Sequence, residues 1–166
     1  WATDPLADFT PFNKLGPLPK LSPFATVIRR QLQDKPLTAQ QSLDLFKIPD
    51  DLEVDIVLTE PTISQPLFLN FDERGRLWVL NYLQYPEPAG LKLLSKDQWW
   101  RAVYDKVPEP PPHGVKGADK ITIHEDTDGD GTFDKHKTFV DGLNIATSFA
   151  QGRGGVFVLN PPYLLF

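Results

Sequence analysis

The chain contains no cysteine, no methionine and only three histidines. It also has no apolar run long enough to cross a membrane. Without cysteine there are no disulfides, no zinc–thiolate site, no thiol nucleophile and no covalently attached c-type haem within these residues. The lack suits either redox compartment. Without methionine there is no initiator, and from Trp1 onward no signal peptide is read. It reads as a processed or excerpted piece. The apolar run Pro161-Pro-Tyr-Leu-Leu-Phe166 reads as continuing into further polypeptide, since free ends are normally polar and frayed. Positive charge is in short supply: 17 Lys and Arg against 22 Asp and Glu give a net charge of −5, so no nucleic-acid footprint is indicated. His113, His124 and His136 share no metal-ligand spacing. His124, set beside Ile121 and Ile123 in an alternating stretch, is expected to face solvent or a neighbouring element. No Ser-His-Asp order can be argued, and no glycine-rich phosphate loop precedes a helix. No catalytic residue is assigned.

What is present divides into two parts. Residues 1–50 form an extended arm with short helices. Prolines at 5, 11, 17 and 19 alternate with Phe9, Phe12 and Leu15, a pattern of anchors lying on a surface rather than a helix. Ser22-Pro23 opens a short helix. Thr38-Ala-Gln-Gln41 has capping-box form and opens a second through Leu43 and Phe46, ended by Pro49. From residue 51 the pattern is mainly β. Val54–Leu58 reads as a strand, and residues 66–71 and 76–81 read as a hairpin turned by Gly75. Residues 82–118 are an aromatic and proline-rich insertion with Tyr82, Tyr85, Trp99, Trp100 and Tyr104; Ser95–Tyr104 within it reads as a short helix, and its aromatic rings as plugs against a sheet. A last hairpin turns around Gly152-Arg-Gly-Gly155. The two hairpins repeat one another, Trp78-Val-Leu-Asn81 matching Phe157-Val-Leu-Asn160. Short repeated hairpins of this kind suit the blades of a β-propeller. The fold class expected is therefore the first blade or blades of a propeller behind an extended, partly helical N-terminal arm.

The most specific motif is Glu125-Asp-Thr-Asp-Gly-Asp-Gly-Thr-Phe-Asp134. Carboxylates this dense repel one another unless neutralised, and a hard cation with oxygen ligands is the natural remedy. The order D-x-D-x-D-G is the first half of an EF-hand loop. The bidentate Glu that closes an EF-hand is replaced by Lys137, and Lys120–His124 and His136–Val140 read as strands, not helices. The expectation is a calcium-binding β-hairpin loop with Asp126, Asp128, Asp130, the Thr132 carbonyl and Asp134 as ligands. The alternative is a solvated acidic turn.

Beyond these patterns, several stretches resemble one family. They are Glu60-Pro61, Phe71-Asp-Glu-Arg-Gly-Arg-Leu-Trp-Val79, Tyr82-Leu-Gln-Tyr-Pro86, Gly117-Ala-Asp-Lys-Ile-Thr-Ile-His-Glu-Asp-Thr-Asp-Gly-Asp-Gly131, Phe139-Val-Asp-Gly-Leu-Asn144 and Gly154–Phe166. The family is that of the PVC-type membrane-bound dehydrogenases, whose propeller is similar to soluble quinoprotein glucose and sorbosone dehydrogenases; the resemblance spans roughly residues 36–166. It implies a periplasmic or extracellular parent protein that oxidises a sugar-like or alcohol substrate. Electrons would pass to a c-type haem or cytochrome c, with PQQ as the quinone cofactor, both held outside this chain. The base histidine of such enzymes has no matching position here, and Asn81 stands where many relatives carry Glu. A non-enzymatic, calcium-stiffened module docked on the rest of its parent chain or on other subunits is the second reading.

Overall fold

The structure is a computed structural model and describes residues 35–99 and 101–166. The expected arm over 1–34 and its helix at Ser22 lie outside the described residues. The chain divides between Lys47 and Ile48 into two units. In the first, α1 (Ala39–Leu43) begins as expected: the Thr38 hydroxyl accepts the Gln41 N–H, and the Gln41 side chain accepts the Thr38 N–H at 2.9 Å. It stops at Leu43, short of Phe46, with no buried residue. A helix of five residues without an apolar face to bury has little to extend it.

The second unit is β-rich. Strands β1 (Pro66–Phe71), β2 (Leu77–Asn81), β5 (Asp119–Glu125) and β6 (Lys135–Leu143) form a four-stranded antiparallel sheet in that order. Strands β7 (Ser148–Gly152), β8 (Gly155–Asn160) and β9 (Tyr163–Leu165) form a second, three-stranded sheet. The two repeated hairpins therefore open two separate sheets. Trp78, Leu80, Ile121 and Ile123 from the first sheet bury against Phe149 and Val158 from the second, together with Leu143 and Ala146. Phe68 and Phe149 meet edge to face with ring centroids 5.0 Å apart, and Trp78 stacks at a tilt on Phe139 at 4.8 Å. Edge-to-face and offset arrangements are the preferred ones for aromatic pairs.

The β1–β2 turn shows how local chemistry fixes register. Gly75 takes φ +74°, as the turn requires. Asp72 Oδ1 accepts the N–H groups of Arg74 (2.9 Å) and Arg76 (3.0 Å), while Oδ2 accepts Arg76 Nε (2.7 Å) and the Trp78 indole N–H (2.9 Å). One carboxylate thus ties the turn to a core side chain. At the other hairpin, Arg153 (φ +51°) and Gly154 (φ +79°) supply the paired positive φ of a type I′ turn.

Three expectations fail. Residues 95–104 are not a helix: β3 (Leu93–Lys96) and β4 (Ala102–Tyr104) form a separate two-stranded hairpin inside the insertion. Asp97 is the cause. Its carboxylate accepts the N–H groups of Trp99 and Arg101, both at 2.9 Å, and Arg101 Nε at 2.6 Å, the same turn that Asp72 builds, and this competes with helical hydrogen bonding. Nor do all its rings act as plugs, since Trp99 is 71 % and Tyr85 63 % exposed. Residues 54–58 are no strand either, because no strand among the described residues takes their backbone groups. Among the described residues no helix is long and apolar enough to cross a membrane.

The Asp72 clasp makes a pH prediction. Burial alone would raise this carboxyl, but hydrogen bonds from Trp78, the Arg76 and Arg74 backbone and the Arg76 guanidinium outweigh it and hold the pKa at about 2, against an ordinary 3.8. The unfolded chain therefore binds more protons between these values, and stability falls as pH drops through that window. Urea melts should show Asp72 contributing up to about one proton to the pH slope of stability between pH 4 and 2. Asp72→Asn should be less stable at pH 7 and lack that contribution; an unchanged slope would remove the clasp's electrostatic role.

Candidate metal centre

The acidic loop joins β5 to β6, and the strand flanks are as expected. Lys135 pairs with Glu125 at 2.8 Å at its neck. Positive φ at Gly129 (+80°) and Gly131 (+91°) folds the backbone back over Asp126. Asp126 Oδ1 accepts the Gly129 N–H at 2.7 Å and Oδ2 the Gly131 N–H at 2.8 Å. Asp128 Oδ1 accepts the Asp130 N–H at 3.3 Å, and Asp130 Oδ1 the Thr132 N–H at 2.7 Å. These bonds turn three side chains inward, so that one carboxylate oxygen each from Asp126, Asp128 and Asp130 lies within 4.8 Å of the others. Calcium–oxygen distances of about 2.3–2.6 Å let a single ion touch oxygens spaced this way. The Gly131 N–H, with help from the Gly129 N–H and against some desolvation, holds the Asp126 carboxyl below the usual carboxylate range. It is a preformed anion.

Asp134 stands apart from that triad. Its carboxylate accepts the Thr127 N–H at 3.0 Å and the Thr127 hydroxyl at 2.6 Å, which lowers its pKa, while its own N–H donates to the Glu125 carbonyl at 3.1 Å. In this geometry Asp134 closes the neck of the loop. Thr132 lies two residues after Asp130 and is tied to it through its N–H.

A second polar group at the base of the same hairpin escaped the sequence reasoning. Of the two settings expected for His124, solvent or a neighbouring element, it takes the second and is fully buried. Its Nδ1 lies 2.9 Å from His136 Nδ1 and its Nε2 lies 2.8 Å from Thr122 Oγ1. Burial first, and the neighbouring His136 second, push the His124 pKa down. With ring centroids 5.1 Å apart, the two nitrogens face one another along the line between the rings, which is the geometry of a shared proton. The hairpin register, which sets residue 124 opposite 136, was the signal that could have found the pair.

The family resemblance implies cofactors held outside this chain. Haem attachment needs thiols, and there are none. Among the described residues, Arg76 is paired with Asp72 and Arg101 with Asp97 on separate hairpins. No curated protein and no solved structure matches the chain. Residues 38–166 match the family described as Domain of unknown function (DUF7133), and the chain belongs to it.

Proposed function

We propose that residues 51–166 open a β-propeller whose parent polypeptide is an oxidoreductase, and that within it this chain serves as a calcium-stiffened scaffold. The observation that carries the propeller reading is the second sheet's outer face. Phe157, Leu159, Leu164 and Phe166 share it by register, the two phenyl rings 4.7 Å apart, while Val158 on the opposite face is in the core. Leu159 is 42 %, Leu164 68 % and Phe166 75 % exposed. The first sheet likewise leaves Leu69 and Phe71 of β1 exposed on its far side. Two sheets packed on each other, each apolar again on its outer face, are what the interior of a stack of sheets requires, and a ring of blades is such a stack. The occupant proposed for the second sheet's outer face is a further antiparallel sheet of the parent polypeptide.

The oxidoreductase part rests on the family resemblance: a sugar-like or alcohol substrate, a quinone such as PQQ, and delivery of electrons to c-type haem or a cytochrome c partner in a periplasmic or extracellular setting. The residues of this chain would supply framework rather than chemistry. The second reading, a calcium-stiffened interaction module without enzymatic activity, rests on the inward-turned carboxylates of Asp126, Asp128 and Asp130.

Two measurements test these readings. With extracellular-type affinity, about 10⁻⁴–10⁻³ M, roughly 1 mM Ca²⁺ should raise the melting temperature by about 1–6 °C. Asp128→Asn should lose that gain, and a wild-type melt unchanged by chelator would remove the calcium role. Separately, the polypeptide carrying this chain, supplied with Ca²⁺ and PQQ, should reduce an artificial electron acceptor with an aldose or a primary alcohol. No reduction across such a panel, with the calcium shift intact, selects the non-enzymatic module.

A further inference from the structure

The histidine pair at the base of the acidic hairpin is built like a ligand set. His124 and His136 stand directly opposite one another on β5 and β6, and their Nδ1 atoms lie 2.9 Å apart. Two ring nitrogens at that separation can share one proton, or both can hold one cation. The surroundings prepare His124 for the second role. Asn81 Nδ2 donates to Thr122 Oγ1 at 3.0 Å, and the Thr122 hydroxyl donates to the Val79 carbonyl at 3.4 Å. Thr122 Oγ1 is left with one lone pair, 2.8 Å from His124 Nε2. It accepts an Nε2–H there, and His124 in that tautomer turns a bare Nδ1 toward His136. A hydrogen bond from one ring nitrogen that fixes the other is how proteins orient a metal-binding imidazole.

The two rings are held unequally. His124 is fully buried between β2 and β6, whereas His136 is exposed. One ligand is therefore fixed. The other can turn its ring to aim a lone pair, its own proton carried on Nε2. The exposed side leaves the remaining coordination positions to water.

The spacing selects the metal. With metal–nitrogen bonds of about 2.0–2.1 Å, nitrogens 2.9 Å apart subtend about 90° at the ion. Neighbouring ligands subtend that angle in a tetragonal site, the preference of Cu(II) and Ni(II). The tetrahedral angle of Zn(II) would need the nitrogens roughly 3.3 Å apart. Calcium takes oxygen ligands, so the acidic loop and the imidazoles call for different ions.

The geometry points to a second metal site: His124 and His136 bind, through Nδ1, one divalent transition-metal ion of the copper(II) type, and Thr122 orients His124 for it. The site does not depend on calcium binding in the loop above it, so either can fail without the other.

The test is a titration of the whole chain with Cu(II) in the presence of excess Ca²⁺, followed by electron paramagnetic resonance. One Cu(II) per chain should give an axial signal split by two imidazole nitrogens. His136→Gln removes an exposed ligand without touching the core. It should weaken binding by about tenfold or more, since losing even an outer-shell partner costs that much. His113→Gln, in the proline-rich insertion, should bind as the wild type does. A wild-type signal with one coupled nitrogen or none would overturn the site whatever the variants do. An affinity unchanged by His136→Gln would overturn it as well, and so would release of Cu(II) as Ca²⁺ is raised, which would put the ion in the acidic loop.

Discussion

A β-sheet with apolar side chains on both faces has to be covered twice, and that requirement governs this protein. Every residue of β2 is buried, so the strand lies inside the structure and has no solvent side. Its Trp78 and Leu80 face the second sheet, and Leu77, Val79 and Asn81 face the other way. Fully burying side chains of this size contributes about 1.5–3 kcal/mol each. The same demand recurs on the outer face of the second sheet, where Leu159, Leu164 and Phe166 are left for something else to cover.

Burial on both sides leaves the loop backbone little access to water, and a few buried polar side chains take water's place. Asp119, fully buried, accepts the Gln84 N–H at 2.6 Å through one oxygen and the Ala146 N–H at 2.8 Å through the other. It thereby fixes the start of the insertion and the approach to the second sheet from a single strand residue. Asn81 and Asn160 do the same for the segments that lead into each sheet. Each of these bonds satisfies a backbone donor that would otherwise be buried alone, a fault worth about 1–3 kcal/mol. Against this frame the acidic loop is peripheral: it projects from β5 and β6 on exposed residues, suited to stiffening a hairpin rather than to building the core.

What could be read from the residues was what is local. Gly75 and the flanking apolar strands announced the first hairpin, Thr38 and Gln41 the capping box, and the aspartate–glycine spacing the inward turn of Asp126, Asp128 and Asp130. Each depends on neighbours within a few positions. What could not be read depends on partners far along the chain. Asp97 turns a segment with helical appearance into a hairpin through bonds to Trp99 and Arg101. The alternation of its strand left His124 facing either solvent or a neighbouring element; the pairing with β2 on one side and β6 on the other selects the neighbour, His136. The Asn81–Asn160 repeat was visible as letters. That Asn81 bonds Thr122 across its sheet, while Leu165 holds the equivalent place in the other, depends on the strand pairing.

The central claim is that these two sheets are consecutive members of a ring of sheets. A cryo-electron-microscopy map of the natural polypeptide that carries this chain tests it most directly. The account predicts a further antiparallel sheet packed face to face on Phe157, Leu159, Leu164 and Phe166, at the separation of about 10 Å typical of stacked sheets. A map in which that face meets solvent, or is covered by helices alone, would contradict it.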